Sequence, residues 1–176
     1  MVAAVCLRNV HKVYIITCVF NELTLTIHPG DIFGFLGPNG AGKSTLIKAM
    51  AGLLPITEGH VFHDGVNITG LRPSALANHA IAYVPQTDNT FRSLTIRQNL
   101  DLAMRRAKVD TAETLERLYA QFPALADKSR DKAGSLSGGQ RQFLAVAMAL
   151  AAAPRLIMMD EQSAGLTHRA AGEVLA

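Results

Sequence analysis

The stretch GPNGAGKST, residues 37–45, lies between the apolar run IFGFL (residues 32–36) and LIKAMAGLL (residues 46–54), a segment of helical composition. The spacing GxxxxGK[ST] arises by chance, but a strand, a glycine-rich loop and a helix in that order have a physical reason. Gly37, Gly40 and Gly42 let the main chain wrap closely around phosphate oxygens with its N–H groups inward, and the helix N-terminus adds favourable partial charge. The backbone of the whole loop, Pro38, Asn39 and Ala41 included, takes part in that cradle. Lys43 can reach β- and γ-phosphates, the Ser44 hydroxyl is the expected Mg²⁺ ligand, and Thr45 is placed for the α-phosphate. A plain glycine-rich turn before a helix is the minor alternative.

A second signal is LSGGQRQ, residues 136–142, which leads into the apolar helix FLAVAMALAAA. Ser137 followed by Gly138 and Gly139 at a helix start is again an anion-binding arrangement, and Gln140 continues the motif. Taken alone it would pass for an ordinary N-cap. Two cradles in one chain are more than a single nucleotide needs. The third signal is LIMMDEQSAGL, residues 156–166. Four apolar residues predict a buried strand. At its end Asp160 is expected to hold Mg²⁺ through water, and Glu161 to polarise an attacking water.

Outward from these motifs, Val5 and Leu7, then Leu23, Leu25 and Ile27, alternate with polar neighbours as half-buried strands do. Pro29-Gly30-Asp31 supplies a turn, so an antiparallel β start is expected. GHVFHDGVNIT, residues 59–69, reads as a hairpin around Asp64-Gly65, where glycine tolerates the positive φ of a tight turn. Thr95 with Gln98, and Asp110 with Glu113, have capping-box spacing. Leu115, Leu118, Tyr119 and Phe122 fall on one helical face that Pro123 ends. Residues 95–150 are therefore expected to be mainly helical.

Composition bounds the class. With 176 residues, 49% hydrophobic and 18% charged, the chain can bury a core as one domain. The apolar stretch at 143–153 is well short of the roughly 20 residues that cross a bilayer. The N-terminal MVAAVCLRN lacks the basic segment and apolar length of a signal peptide, which leaves the cytoplasm as the expected compartment. Cys6 and Cys18 are expected to be reduced. A net charge of +3 without basic runs gives nucleic-acid binding little support. His60 and His63 have a spacing that could touch a metal, but a solvated strand or turn is the expected reading.

With these motifs in this order, the chain resembles the ATP-binding cassette (ABC) ATPases along essentially all its length, LSGGQRQ being the most specific element. The resemblance implies an α/β fold: a P-loop NTPase (RecA-like) core, an antiparallel β-subdomain and a helical subdomain at about 88–150, in a single nucleotide-binding domain. It implies ATP and Mg²⁺ as ligands. It also implies that Gln86 in AYVPQ contacts Mg²⁺ or attacking water, that Tyr14 in VHKVY stacks on adenine, and that SAGL communicates between two ATP sites. In the family two cassettes close head to tail, so that Ser137 and Gly139 of one face Lys43 and Ser44 of the other, which accounts for two cradles. The implied partners are a second ATPase subunit, identical or paralogous, and transmembrane permease subunits, with the chain peripheral at the cytoplasmic face of the membrane and no nucleic-acid partner.

GHVFHDGVNITGL, IAYVPQTDNTFRSLTIRQNL and DEQSAGL look most like the ATPases of branched-chain amino-acid importers and their urea or amide relatives. The lipopolysaccharide-exporter ATPase is also similar. The departures from the family pattern are three. Gln162 stands where proline is common after the acidic pair, and IITC replaces the usual glycine-containing turn after Tyr14. Family members also continue past SAGL to a strand and a histidine near the γ-phosphate, whereas His168 comes only two residues after Leu166. The expectation is thus an ATP-hydrolysing motor subunit of a transporter, as a C-terminally shortened cassette lacking the histidine-loop strand, whose central sheet misses a middle member; the alternative is a shortened chain that binds ATP but hydrolyses it poorly. A binding or regulatory protein without catalysis is the competing class. DNA-repair or chromosome-organising relatives would need a long coiled coil between Lys43 and Leu136, and no sustained heptads are present there.

Overall fold

A computed structural model of the chain describes residues 3–14, 17–31, 33–35, 40–87, 89–105, 107 and 109–160. They fall into two compact units that meet in sequence at Ile81 and Ala82. The first holds β1 (Val5–Tyr14), β2 (Thr17–Ile27), α1 (Lys43–Met50), β3 (Glu58–His63), β4 (Val66–Asn67) and the short α2 (Pro73–Leu76). The strands form one sheet in the order β2-β1-β3-β4, each neighbouring pair antiparallel.

One extra residue decides which side chains of β1 face inward. Val5 and Leu7 are buried, and two positions on the parity has switched, with Val10 and Lys12 buried instead. The register to β2 shifts between Leu7 and Val10, and that to β3 between Arg8 and His11, as at a β-bulge. Asn9 sits there with φ of 47°. Gly59 on β3 makes room: a Cβ at that position would lie 2.2 Å from the Asn9 carbonyl oxygen. The hairpin at Asp64-Gly65 forms as expected, pairing His63 with Val66, and both turn residues have positive φ.

On α1, Leu46, Ala49 and Met50 are buried, the i, i+3, i+4 stripe of a half-buried helix. His60 and His63 do not converge, because a spacing of three puts them on opposite faces of β3. His60 is exposed, while His63 is 3% exposed, its Nδ1 donating to the Ala4 carbonyl at 2.6 Å and its Nε2 lying 3.5 Å from Asp64. Among the described residues no cluster of His, Cys, Asp or Glu could hold a metal ion.

The second unit holds α3 (Ile96–Met104), α4 (Thr111–Gln121), α5 (Pro123–Ala126), α6 (Gly138–Ala151) and β6 (Leu156–Met159), which pairs with β5 (Ile81–Val84). Helices α3, α4 and α5 pack on α6 around a core that includes Ile96, Leu100, Leu118, Leu125 and Leu144. Burying each of those leucines contributes about 2 kcal/mol. Thr95 closes the expected capping box with Gln98, and Asp110 caps α4 by accepting from the amides of Ala112 and Glu113. Pro123 both ends α4 and starts α5, since its ring fixes φ for a first helical position while lacking the N–H that continuation requires. Among the described residues no helix is long and apolar enough to cross a membrane.

The antiparallel sheet and the helices give the expected mixed α/β class. The run IFGFL differs from expectation: its described part, residues 33–35, lies outside any strand, and Phe33 is 48% exposed. Apolar composition permits a strand, but a hydrogen-bonded neighbour makes one. No described strand pairs with this segment.

Candidate functional site

In the first unit, the glycine-rich loop is described from Gly40 onward; Gly37, Pro38 and Asn39 lie outside the described residues. Gly42 is the N-cap of α1 in the left-handed region, φ 82°, and Lys43, Ser44 and Thr45 form the first turn. No side chain caps this helix. Glycine thus stands at the position where Ser, Thr, Asp or Asn is the usual device at such a start. Gly40 also has positive φ, 86°, and among the described residues nothing lies within 4 Å of a Cβ built on it, whereas a Cβ on Gly42 would lie 2.7 Å from Val19 Cγ1. Gly42 therefore rests against β2.

Tyr14, the candidate adenine platform, belongs to the same end of the β1–β2 hairpin. Val13 pairs with Cys18 and Lys12 with Phe20, which brackets Val19, the residue against Gly42. The Tyr14 ring is 43% exposed, and the Lys12 ammonium stands 4.6 Å from its centroid.

In the second unit, β6 delivers Asp160 as expected. Its amide donates to the Val84 carbonyl at 3.1 Å, and the residue is 1% exposed. Tyr83 on β5 is a neighbour that sequence reasoning missed: burial raises its pKa first, and the Asp160 carboxylate raises it further. Glu161, Gln162 and the SAGL loop lie outside the described residues. Gln86 is exposed, on the segment after β5. Asn89 Nδ2 ties that segment together, donating to the Pro85 carbonyl at 3.2 Å and to Gln142 Oε1 on α6 at 3.4 Å.

Helix α6 opens with a capping box. Ser137 Oγ accepts from the Gln140 amide at 3.3 Å, and Gln140 Oε1 accepts from the Ser137 amide at 3.1 Å. The hydroxyl hydrogen of Ser137 is not used by that bond, so capping and donation to an anion are compatible. Among the described residues nothing lies within 4 Å of a Cβ built on Gly138 or Gly139. Arg141 holds the approach from behind, its Nη1 donating to the Leu136 carbonyl.

A further residue without a sequence-level role is Asn99, fully buried on α3. Its Oδ1 accepts from the Phe91 amide at 2.8 Å, and its Nδ2 donates to the carbonyls of Phe91 and Thr95 at 3.1 and 2.8 Å. One amide thereby fixes the loop that carries Phe91. The available signal was a polar residue on the apolar stripe of Ile96 and Leu100.

The family model for ABC transporters matches residues 20–164, and the chain belongs to that family. A probable branched-chain amino acid transport ATP-binding protein, LivF of Archaeoglobus fulgidus, is 43% identical over 151 residues, covering 84% of this chain and 63% of its own length. The lipopolysaccharide export system ATP-binding protein LptB of Escherichia coli is 35% identical over 168 residues, 90% of this chain and 67% of its own. Among solved structures, a dimeric post-hydrolysis state of an ATP-binding cassette bound to ADP and Pi superposes with a TM-score of 0.79 at 27% identity, covering 97% of this chain and 79% of that one. The chain thus spans under two thirds of the LivF length.

Proposed function

We propose that the chain binds Mg²⁺-ATP as the nucleotide-binding subunit of an ABC transporter, and that it hydrolyses ATP to drive transport. The observation that carries this reading is the start of α1: a left-handed glycine in place of a capping side chain, followed directly by Lys43 and Ser44. A helix N-terminus opened by glycine lets a phosphate approach its backbone closely. Lys43 supplies a full positive charge there, and the backbone from Gly37 to Thr45 holds the phosphate oxygens.

The donor set suits Mg²⁺, since the Ser44 hydroxyl, the Gln86 amide oxygen and the Asp160 carboxylate are hard oxygen ligands. The Asp160 carboxylate, 1% exposed at the end of β6, is of the hard-oxygen type that such a cation takes. When bound, the ion would offset negative charge on the transferred phosphoryl group. Glu161 accepts a proton from the attacking water, and Gln86 orients that water. Ser137, Gly138, Gly139 and Gln140 serve the ATP of a second cassette, a reading supported by the dimeric relative.

The partners are accordingly a second ATPase subunit and a membrane permease, with the chain peripheral at the cytoplasmic face. Residues 1–176 serve as one nucleotide-binding domain, with its helical subdomain at about 88–150. For the cargo we favour branched-chain amino acids or related small polar solutes, on the higher identity to LivF than to LptB. The Glu161→Gln variant is expected to bind ATP like the parent while losing turnover. Undiminished hydrolysis by that variant would remove Glu161 from the mechanism, and parent protein that fails to hydrolyse ATP would reduce the reading to nucleotide binding.

A further inference from the structure

The Lys12 side chain is the least ordinary feature of the first unit. Lysine normally keeps its ammonium in water, yet Lys12 is only 6% exposed. Its Nζ donates to the Pro55 carbonyl at 2.6 Å and stands 4.6 Å from the centroid of the Tyr14 ring. The backbone around it is pinned from the same direction. The Thr57 amide donates to the His11 carbonyl at 2.9 Å, and the Val13 amide donates to Thr57 Oγ1 at 3.2 Å. Pro55 and Thr57 belong to the segment leaving α1, the helix that begins with Lys43, so one lysine joins the exit of the phosphate-binding helix to the candidate adenine platform.

We propose that Lys12 is a positioning residue for the nucleotide base: its ammonium, anchored on Pro55, fixes the Tyr14 ring and occupies one face, so that adenine stacks on the other. The proposal rests on the nucleotide reading above and extends it to a residue outside the phosphate loop. Attraction between a cation and an aromatic face is worth most where the cation is withdrawn from water, as here. Without the ammonium, the 43% exposed ring is free to turn about χ1 and χ2, and a base must order it on binding. A purely structural role, stapling β1 to the segment after α1, would affect every ligand of the loop alike. A base-positioning role affects only ligands that carry a base.

The test compares ATP with inorganic tripolyphosphate by calorimetry on the full chain with Mg²⁺. The parent should bind ATP more tightly, and Tyr14→Ala should erase most of that preference. Lys12→Met should weaken ATP by about three- to tenfold and leave tripolyphosphate unchanged, with Lys12→Arg restoring ATP. Equal weakening of both ligands, or of neither, overturns the proposal. If the parent binds neither ligand, the nucleotide reading fails and takes the proposal with it; if Tyr14→Ala keeps the preference, Tyr14 is not the platform. In the unmodified protein, the Lys12 Hε protons should resonate upfield beneath the ring and shift with ATP but not with tripolyphosphate. A Lys12 signal indifferent to ATP contradicts the proposal whether or not Lys12→Met folds.

Discussion

At the scale of single residues, Tyr83 reports on Asp160. Burial and the neighbouring carboxylate both disfavour the phenolate, so its pKa lies above the ordinary 10.0. The neutral phenol is therefore bound more favourably in the folded state, and this stability is complete below pH 10.0, then lost as pH rises through the folded-state pKa. Tyr119 is raised as well, chiefly by burial. Tyrosinate absorbance should accordingly show late-titrating groups, one of which, the one missing in Tyr83→Phe, moves to lower pH in Asp160→Asn; a Tyr83 titration unmoved by Asp160→Asn would show that Tyr83 does not sense Asp160. Asn99→Ala should cost about 2 kcal/mol in urea unfolding, because it removes part-buried hydrogen bonds to the Phe91 amide and to the Phe91 and Thr95 carbonyls. A loss below about 1 kcal/mol would mean that water replaces the amide. Asp160 was legible because an apolar run ending in a carboxylate is a local pattern. Tyr83, Asn99 and Lys12 were not, since their importance comes from partners distant in sequence: Lys12 meets Pro55 at a separation of 43.

At the scale of elements, two helices begin by opposite devices. Helix α6 uses Ser137 and Gln140 in a reciprocal box, whereas α1 uses the left-handed Gly42 with no side-chain cap. Ser137→Ala should therefore lower stability by about 1 kcal/mol, read from thermal or urea unfolding; no change would indicate that water caps the helix equally well. In Gly42→Ala, the new methyl meets Val19 and the residue must keep a positive φ, which together cost about 1–2 kcal/mol. Its nucleotide affinity should fall with its stability. Retained affinity would argue against the loop geometry as the determinant of binding. The capped helices and the Asp64-Gly65 hairpin could be read from sequence because caps and tight turns are built from adjacent residues. The bulge at Asn9 could not, since it depends on Gly59 of another strand, nor could the state of residues 33–35, which depends on a strand partner.

At the scale of the whole molecule, the family is shown by the match across residues 20–164. The antiparallel sheet of the first unit carries Tyr14 and supports Gly42; the second unit carries Asp160 and the serine-glycine start of α6. Equilibrium binding of ATP to the full chain, with and without Mg²⁺ and beside Lys43→Ala, tests the nucleotide reading most directly. Saturable binding that strengthens with Mg²⁺ and is largely lost in Lys43→Ala is the expected result. Binding that ignores both the metal and the lysine, or no binding by the parent chain, would contradict it.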